Sequence, residues 1–149
     1  MPQDRRAARV LLVDGQRRVL LQNCFDPSSP EAGSWWNTIG GGLDDGESSA
    51  QAAARELREE TGLAVAVDAL GDVVHRRLTE FSFGGGDYRQ SEEYFLLRVD
   101  GFDAVAAGHS ELEMMAVIGT RWWGPDELRA TTERVYPAEL ADVLDGLLA

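Results

Sequence analysis

Apolar positions come in short blocks along this chain. Residues 10–13 read Val-Leu-Leu-Val and residues 19–21 read Val-Leu-Leu, with Asp14-Gly15 between them. That pattern predicts two strands joined by a tight hairpin. Residues 26–34 are rich in Pro, Ser and Gly and predict a loop. A short strand is expected over 35–39, and Gly40-Gly41-Gly42 then predicts a turn of the backbone. Further strands are expected over 63–67, 73–78, 93–99 and 118–123, with a glycine-rich mobile loop over 83–89 and an unassigned connection over 101–109. Pro125 opens a short helix, and a final helix follows over 138–148.

The period changes to that of a helix over 49–61. Ala50, Ala53, Ala54 and Leu57 recur at i, i+3, i+4 and i+7 and form one apolar stripe. Ser48 and Gln51 have capping-box spacing at its start, and Gly62 is a natural stop. No internal repeat or linker interrupts the pattern. It therefore predicts one α/β domain over 1–149, a mixed sheet covered by helices.

Charge narrows the partners. The net charge is −12, and all 14 basic residues are Arg. So acidic a surface repels polymeric nucleic acid and anionic membranes, and neither is expected as a partner. A small phosphorylated metabolite remains compatible, because a bound metal and a few arginines reverse the field locally. Cys24 is the only cysteine, which excludes an intramolecular disulfide and a thiolate zinc cluster. His75 and His109 lie far apart without ligand-like spacing. The first residues carry no signal-like apolar run, so a cytoplasmic location is expected. Whether the chain acts alone or as a homodimer is left open.

The predicted helix at 49–61 carries the chemistry. Glu56, Glu59 and Glu60 fall at i, i+3 and i+4, an arc of roughly 100° beside the apolar stripe. Like charges at that spacing cost about 0.2–0.5 kcal/mol, and two of them sit in the last turn, where the helix dipole disfavours them. A hard divalent cation, Mg2+ or Mn2+, would offset both terms. Arg55 stands four residues before Glu59 and can orient its carboxylate. Taken alone, three glutamates fit a solvated acidic face better than a metal site.

Their context is more specific. From Gly41 the chain reads Gly41, five residues, Glu47, seven residues, Arg55-Glu56-Leu57, one residue, Glu59-Glu60, one residue, Gly62-Leu63. Every fixed position resembles the Nudix box, G-x5-E-x7-R-E-U-x-E-E-x-G-U, where U is a bulky aliphatic. Trp36 to Gly41 resembles the strand that enters the Nudix loop, with Ile39 where many members carry Pro. Arg121-Trp122-Trp123 and Glu127-Leu128 resemble the family's last strand and following helix.

The resemblance implies an α/β/α sandwich and a magnesium-dependent hydrolase that cleaves a pyrophosphate bond in a nucleoside diphosphate linked to another group. It places metal on Glu59 and Glu60 with Glu56 as ligand or base, leaving Glu47 to support the metal shell or pair with Arg55. Gly41 and Gly42 would let backbone approach a phosphate. The base varies among members. Here Glu113 is favoured, with Glu56, Glu111, Glu92 and Glu93 as alternatives. Arg5, Arg9, Arg76, Arg77 and Arg89 are candidate phosphate clamps, and Arg89 is singled out. Trp35, Trp36, Phe81, Phe83, Tyr88 and Trp122 could stack on a base. Two other readings remain, a nucleotide sensor without catalysis and an isomerase of the isopentenyl diphosphate type. The intact acids weigh against the first, and the position of Cys24 outside the box weighs against the second. Among substrates, nucleoside triphosphates lead by elimination.

Overall fold

The computed structural model describes residues 1–100 and 116–149. The strands are β1 (Gln3–Val13), β2 (Val19–Phe25), β3 (Ser34–Gly42), β4 (His75–Phe83), β5 (Gly86–Arg98), β6 (Ala116–Trp123) and β7 (Val135–Tyr136). The helices are α1 (Ser49–Thr61), α2 (Pro125–Ala130) and α3 (Leu140–Leu148). All seven strands of the described residues belong to one mixed sheet. β5 lies parallel to β1 along its whole length and antiparallel to β4. β3 is the shared strand: its C-terminal half pairs with β1, and its N-terminal half pairs with β2 and β7. β6 closes the other edge against β2.

The uninterrupted apolar run of β1 follows from burial on both faces. Ala8, Val10 and Leu12 point to one side and pack with Ile39, Phe95 and the α1 residues Ala52, Ala53 and Leu57. Leu11 and Val13 point to the other and pack with Trp36, Tyr94, Trp123 and the α3 residues Leu140, Leu144 and Leu148. One helix on each face makes the α/β/α arrangement. α1 spans the predicted residues, with the Ser48–Gln51 capping box formed and Gly62 closing it through a bond to Arg58 O.

Several local expectations are corrected. Residues 63–67 form no strand among the described residues. Leu63 and Val65 alternate as a strand would, but they pack against the α1 cluster. The glycine-rich stretch after Phe83 is a tight hairpin instead of a long loop. Only Gly84 and Gly85 lie outside β4 and β5, at φ +58° and +83°, the left-handed pair that a two-residue connection demands. Gly40, Gly41 and Gly42 continue β3 and make no turn.

A buried ionic network joins three strands on the α3 side of the sheet. The Glu92 carboxylate on β5 accepts from Arg9 Nε of β1 (3.3 Å), Arg77 Nη1 of β4 (2.8 Å), Gln90 Nε2 (2.8 Å) and Tyr94 OH (2.9 Å). Arg9 and Glu92 are only 4% and 3% exposed, so this pair sits outside the reach of solvent screening. Burial pushes the Glu92 carboxyl up, but Arg9 and Arg77 together hold it below the ordinary carboxylate range. Burial beside that carboxylate raises the Tyr94 phenol.

Glu92→Gln would leave the buried Arg9 guanidinium without its carboxylate and Arg77 with only the more distant Glu139. It is expected to cost about 3–5 kcal/mol, seen as a melting point lower by roughly ten degrees. A depressed folded pKa stabilises above the unfolded value, near 4.5, and that stabilisation fades as pH falls toward the folded value. Thermal melts should therefore fall more steeply for the wild type than for the variant between about pH 5 and 3.

Candidate active site

The box closes on itself through one side chain. Arg55 on α1 donates from Nε and Nη2 to Glu47 (2.7 and 3.0 Å), from Nη2 to Gly42 O (3.0 Å), and from Nη1 to Glu56 (3.0 Å) and Glu59 (3.3 Å). The loop between β3 and α1 is thereby tied to the acidic face of the helix. Bonding to Arg55 lowers the Glu47 pKa, and the same contact raises that of Arg55. Glu47 also accepts from Asp44 N–H. The sequence pairing of Arg55 with Glu47 and Glu59 is thus present in the fold.

The three acids of α1 take three different surroundings. Glu56 is 2% exposed and belongs to the buried face with Ala53 and Leu57, deeper than an edge position. Gly41 makes that possible: a Cβ there would stand 2.8 Å from Glu56 Oε1. Glu56 Oε2 is buried without a hydrogen-bond partner. Glu59 is half-buried beside Arg55, and Glu60 accepts from Gly40 N–H (2.8 Å). Gly40 has φ +139° and would press a Cβ to 2.1 Å from Ala8 O, so no other residue fits there. Among the described residues no three His, Cys, Asp or Glu side chains stand in a metal-binding cluster. The orphaned Glu56 oxygen and the hard oxygen donors around it nevertheless suit a magnesium-like cation.

Gly41 separates this face from a cavity of about 390 Å³, whose described lining includes none of the three acids. Gly41 lies on its rim with Arg5, whose guanidinium crosses the face of Gly42. Its floor is built by Arg9, Arg77, Gln90 and Glu92, and its far wall by Trp35, Phe83 and Arg134. Trp35 and Phe83 meet edge to face at 6.2 Å, and the Arg134 guanidinium lies 5.9 Å from the Trp35 ring. Asp26 accepts from Ser28 and from Gly84 N–H, which pins the loop after β2 to the β4–β5 hairpin.

Of the predicted clamps, Arg5, Arg9 and Arg77 reach the cavity. Arg89 does not: it is exposed on β5, where alternation turns it away from the face that carries Gln90. Arg76 is spent on Glu93, whose carboxylate also takes Ser49 Oγ–H. Glu92 is saturated by four donors and is no candidate base. Trp36 is a core residue against Trp123. Glu111 and Glu113 lie outside the described residues. Gln90, Asn37, Asp26 and Arg134 were not singled out from sequence. For Gln90 a signal existed: polar residues at 90 and 92 alternate in step with core Tyr94, so they had to face inward.

The model of the NUDIX domain matches residues 3–143. The chain is 36% identical over 137 residues to an RNA pyrophosphohydrolase of Erythrobacter litoralis, covering 83% of this chain and 78% of that protein. It is also 36% identical over 111 residues to an RNA pyrophosphohydrolase of Sphingopyxis alaskensis, covering 67% of this chain and 66% of that protein. In structure it resembles the MutT protein from Methanosarcina mazei Go1, at a TM-score of 0.70 and 19% identity, over 97% of this chain and 93% of the other. With its unbroken box and its shared β3 strand, the chain belongs to the Nudix hydrolase family.

Proposed function

We propose that this protein is a magnesium-dependent pyrophosphohydrolase acting on a nucleoside diphosphate linked to another group, with nucleoside triphosphates favoured. Cleavage of a pyrophosphate bond is the activity its family and relatives support. The observation that carries the finer reading is Glu56 Oε2, a buried carboxylate oxygen with no partner, placed under Gly41 at the rim of a cavity edged by arginine. A buried polar atom left unpaired costs about 1–3 kcal/mol, which a bound cation would offset.

Glu56, Glu59 and Glu60 would hold the metal. When bound, magnesium (or manganese) spreads the charge of the phosphoryl oxygens and lowers the pKa of its water. Arg55 keeps Glu59 and Glu47 oriented, and Glu60 is held by the Gly40 amide. Arg5 supplies a guanidinium beside the glycines for a phosphate. The base remains Glu113 in this reading, with Glu56 as the described alternative. The relatives' names add a second substrate, a pyrophosphate bond carried by RNA. The net charge of −12 opposes a long polymer but not a short end entering the cavity.

Glu59→Gln or Glu60→Gln should lower turnover at least about 100-fold in a magnesium-dependent screen of nucleotides, dinucleotides and a triphosphorylated RNA oligomer. Unchanged circular dichroism would show that the fold is intact. Near wild-type turnover would remove these residues from the site. Glu113→Gln should flatten the pH dependence of the rate, while an unaltered profile moves the base to Glu56 or Glu111.

Magnesium at a hundredfold excess over Kd should add about 2.7 kcal/mol to stability and raise the melting point by several degrees. Glu59→Gln should shrink that rise. A wild-type melting point that ignores millimolar magnesium would sink the metal assignment.

A further inference from the structure

The floor of the cavity does more than enclose a substrate. Gln90 Nε2 and Arg9 Nε both donate to one atom, Glu92 Oε2, at 2.8 and 3.3 Å. The shared acceptor sets the two side chains next to each other. It also fixes their orientation. A carboxylate can only accept, so the Gln90 amide must turn its nitrogen toward Glu92 and its Oε1 away. Arg9 spends Nη1 on Thr38 O at 3.3 Å, and among the described residues Nη2 makes no hydrogen bond. Both residues line the cavity and are more than nine-tenths buried, Arg9 at 4% and Gln90 at 3% exposed. The floor thus offers a charged donor beside a neutral acceptor.

We infer that Arg9 and Gln90 read the lactam edge of an oxo-nucleobase, C=O beside N–H, while the joined aromatic wall of Trp35 and Phe83 borders the base. This rests on the nucleotide reading above and names the base class. The guanidinium donates to the exocyclic oxygen, an acceptor that arginine also reads on guanine. Gln90 Oε1 accepts the ring N–H. In the same pose adenine reverses both polarities. Its amino group meets the Arg9 donor, its ring nitrogen meets the Gln90 lone pair, and both floor groups lose their bonds in a site from which water is largely removed. Glu92 acts here as a positioning residue, since it touches neither base atom.

Inosine and adenosine 5′-monophosphates differ only at this edge, and neither contains a pyrophosphate bond to cleave. Titration calorimetry of the wild-type chain with chelator should give inosine monophosphate at least about tenfold tighter binding than adenosine monophosphate. N1-methylation of the inosine ligand removes the N–H and should erase the advantage. Gln90→Met should do the same to unmethylated inosine monophosphate; if that variant fails to fold, the methylated ligand on the wild type still decides. Equal or tighter binding of adenosine monophosphate, or binding of neither ligand below millimolar concentration, overturns the inference. Magnesium-dependent cleavage of inosine and adenosine triphosphates at equal kcat/KM would also overturn it and leave the proposed function standing. Cleavage of no pyrophosphate compound, with the monophosphate preference intact, would instead overturn the function and keep the base reading.

Discussion

One guanidinium holds the box together. Arg55 bonds Glu47, Glu56, Glu59 and the Gly42 carbonyl at 2.7 to 3.3 Å, so the loop after β3 and the acidic face of α1 become one unit. Three carboxylates in less than two helical turns repel one another and the helix dipole. A single planar cation with five fixed donors can serve several of them at once, where an ammonium could not. Gly40 supplies the remaining restraint, an amide on Glu60, and it can do so only because no side chain blocks the approach of β1. The spacing of the box is the sequence record of this geometry.

The same principle is repeated deeper in the molecule with the signs exchanged. Around Glu92, one carboxylate orders two guanidiniums, an amide and a phenol across β1, β4 and β5. Buried ion pairs add little net stability compared with apolar packing, but breaking one is costly. Such a network serves position more than stability. It keeps polar groups at fixed angles on the floor of a cavity whose far wall is aromatic. Each of the two networks bonds a carbonyl of the shared strand β3. The acidic face of α1 and the cavity floor are thereby both tied to β3, through the carbonyls of Gly42 and Thr38.

Much of the fold was legible as pattern. The helix over Ser49–Thr61 appeared whole, because its capping box, apolar stripe and closing glycine all agree. The two-sided burial of β1 could be read from its unbroken apolar run. Glycine runs mislead in two places for one reason. Glycine announces conformational freedom without saying what uses it: at Gly84–Gly85 a two-residue hairpin, at Gly40–Gly41 the close approach of a strand and a carboxylate. The strand expected at 63–67 failed because alternation alone cannot tell pairing from packing.

What the sequence determined by itself is local. Helical period places Glu56, Glu59 and Glu60 on one arc with Arg55 in reach, and the thirteen residues of α1 need no distant contact to do so. The tertiary structure decided everything that depends on strand register. It buried Glu56 under Gly41, turned Arg89 outward, and brought Arg9 and Gln90 together from positions 81 residues apart in the chain. Register is a long-range property: shifting one strand by one residue exchanges its two faces. No spacing within β1 or β5 states which of their polar residues will share a carboxylate.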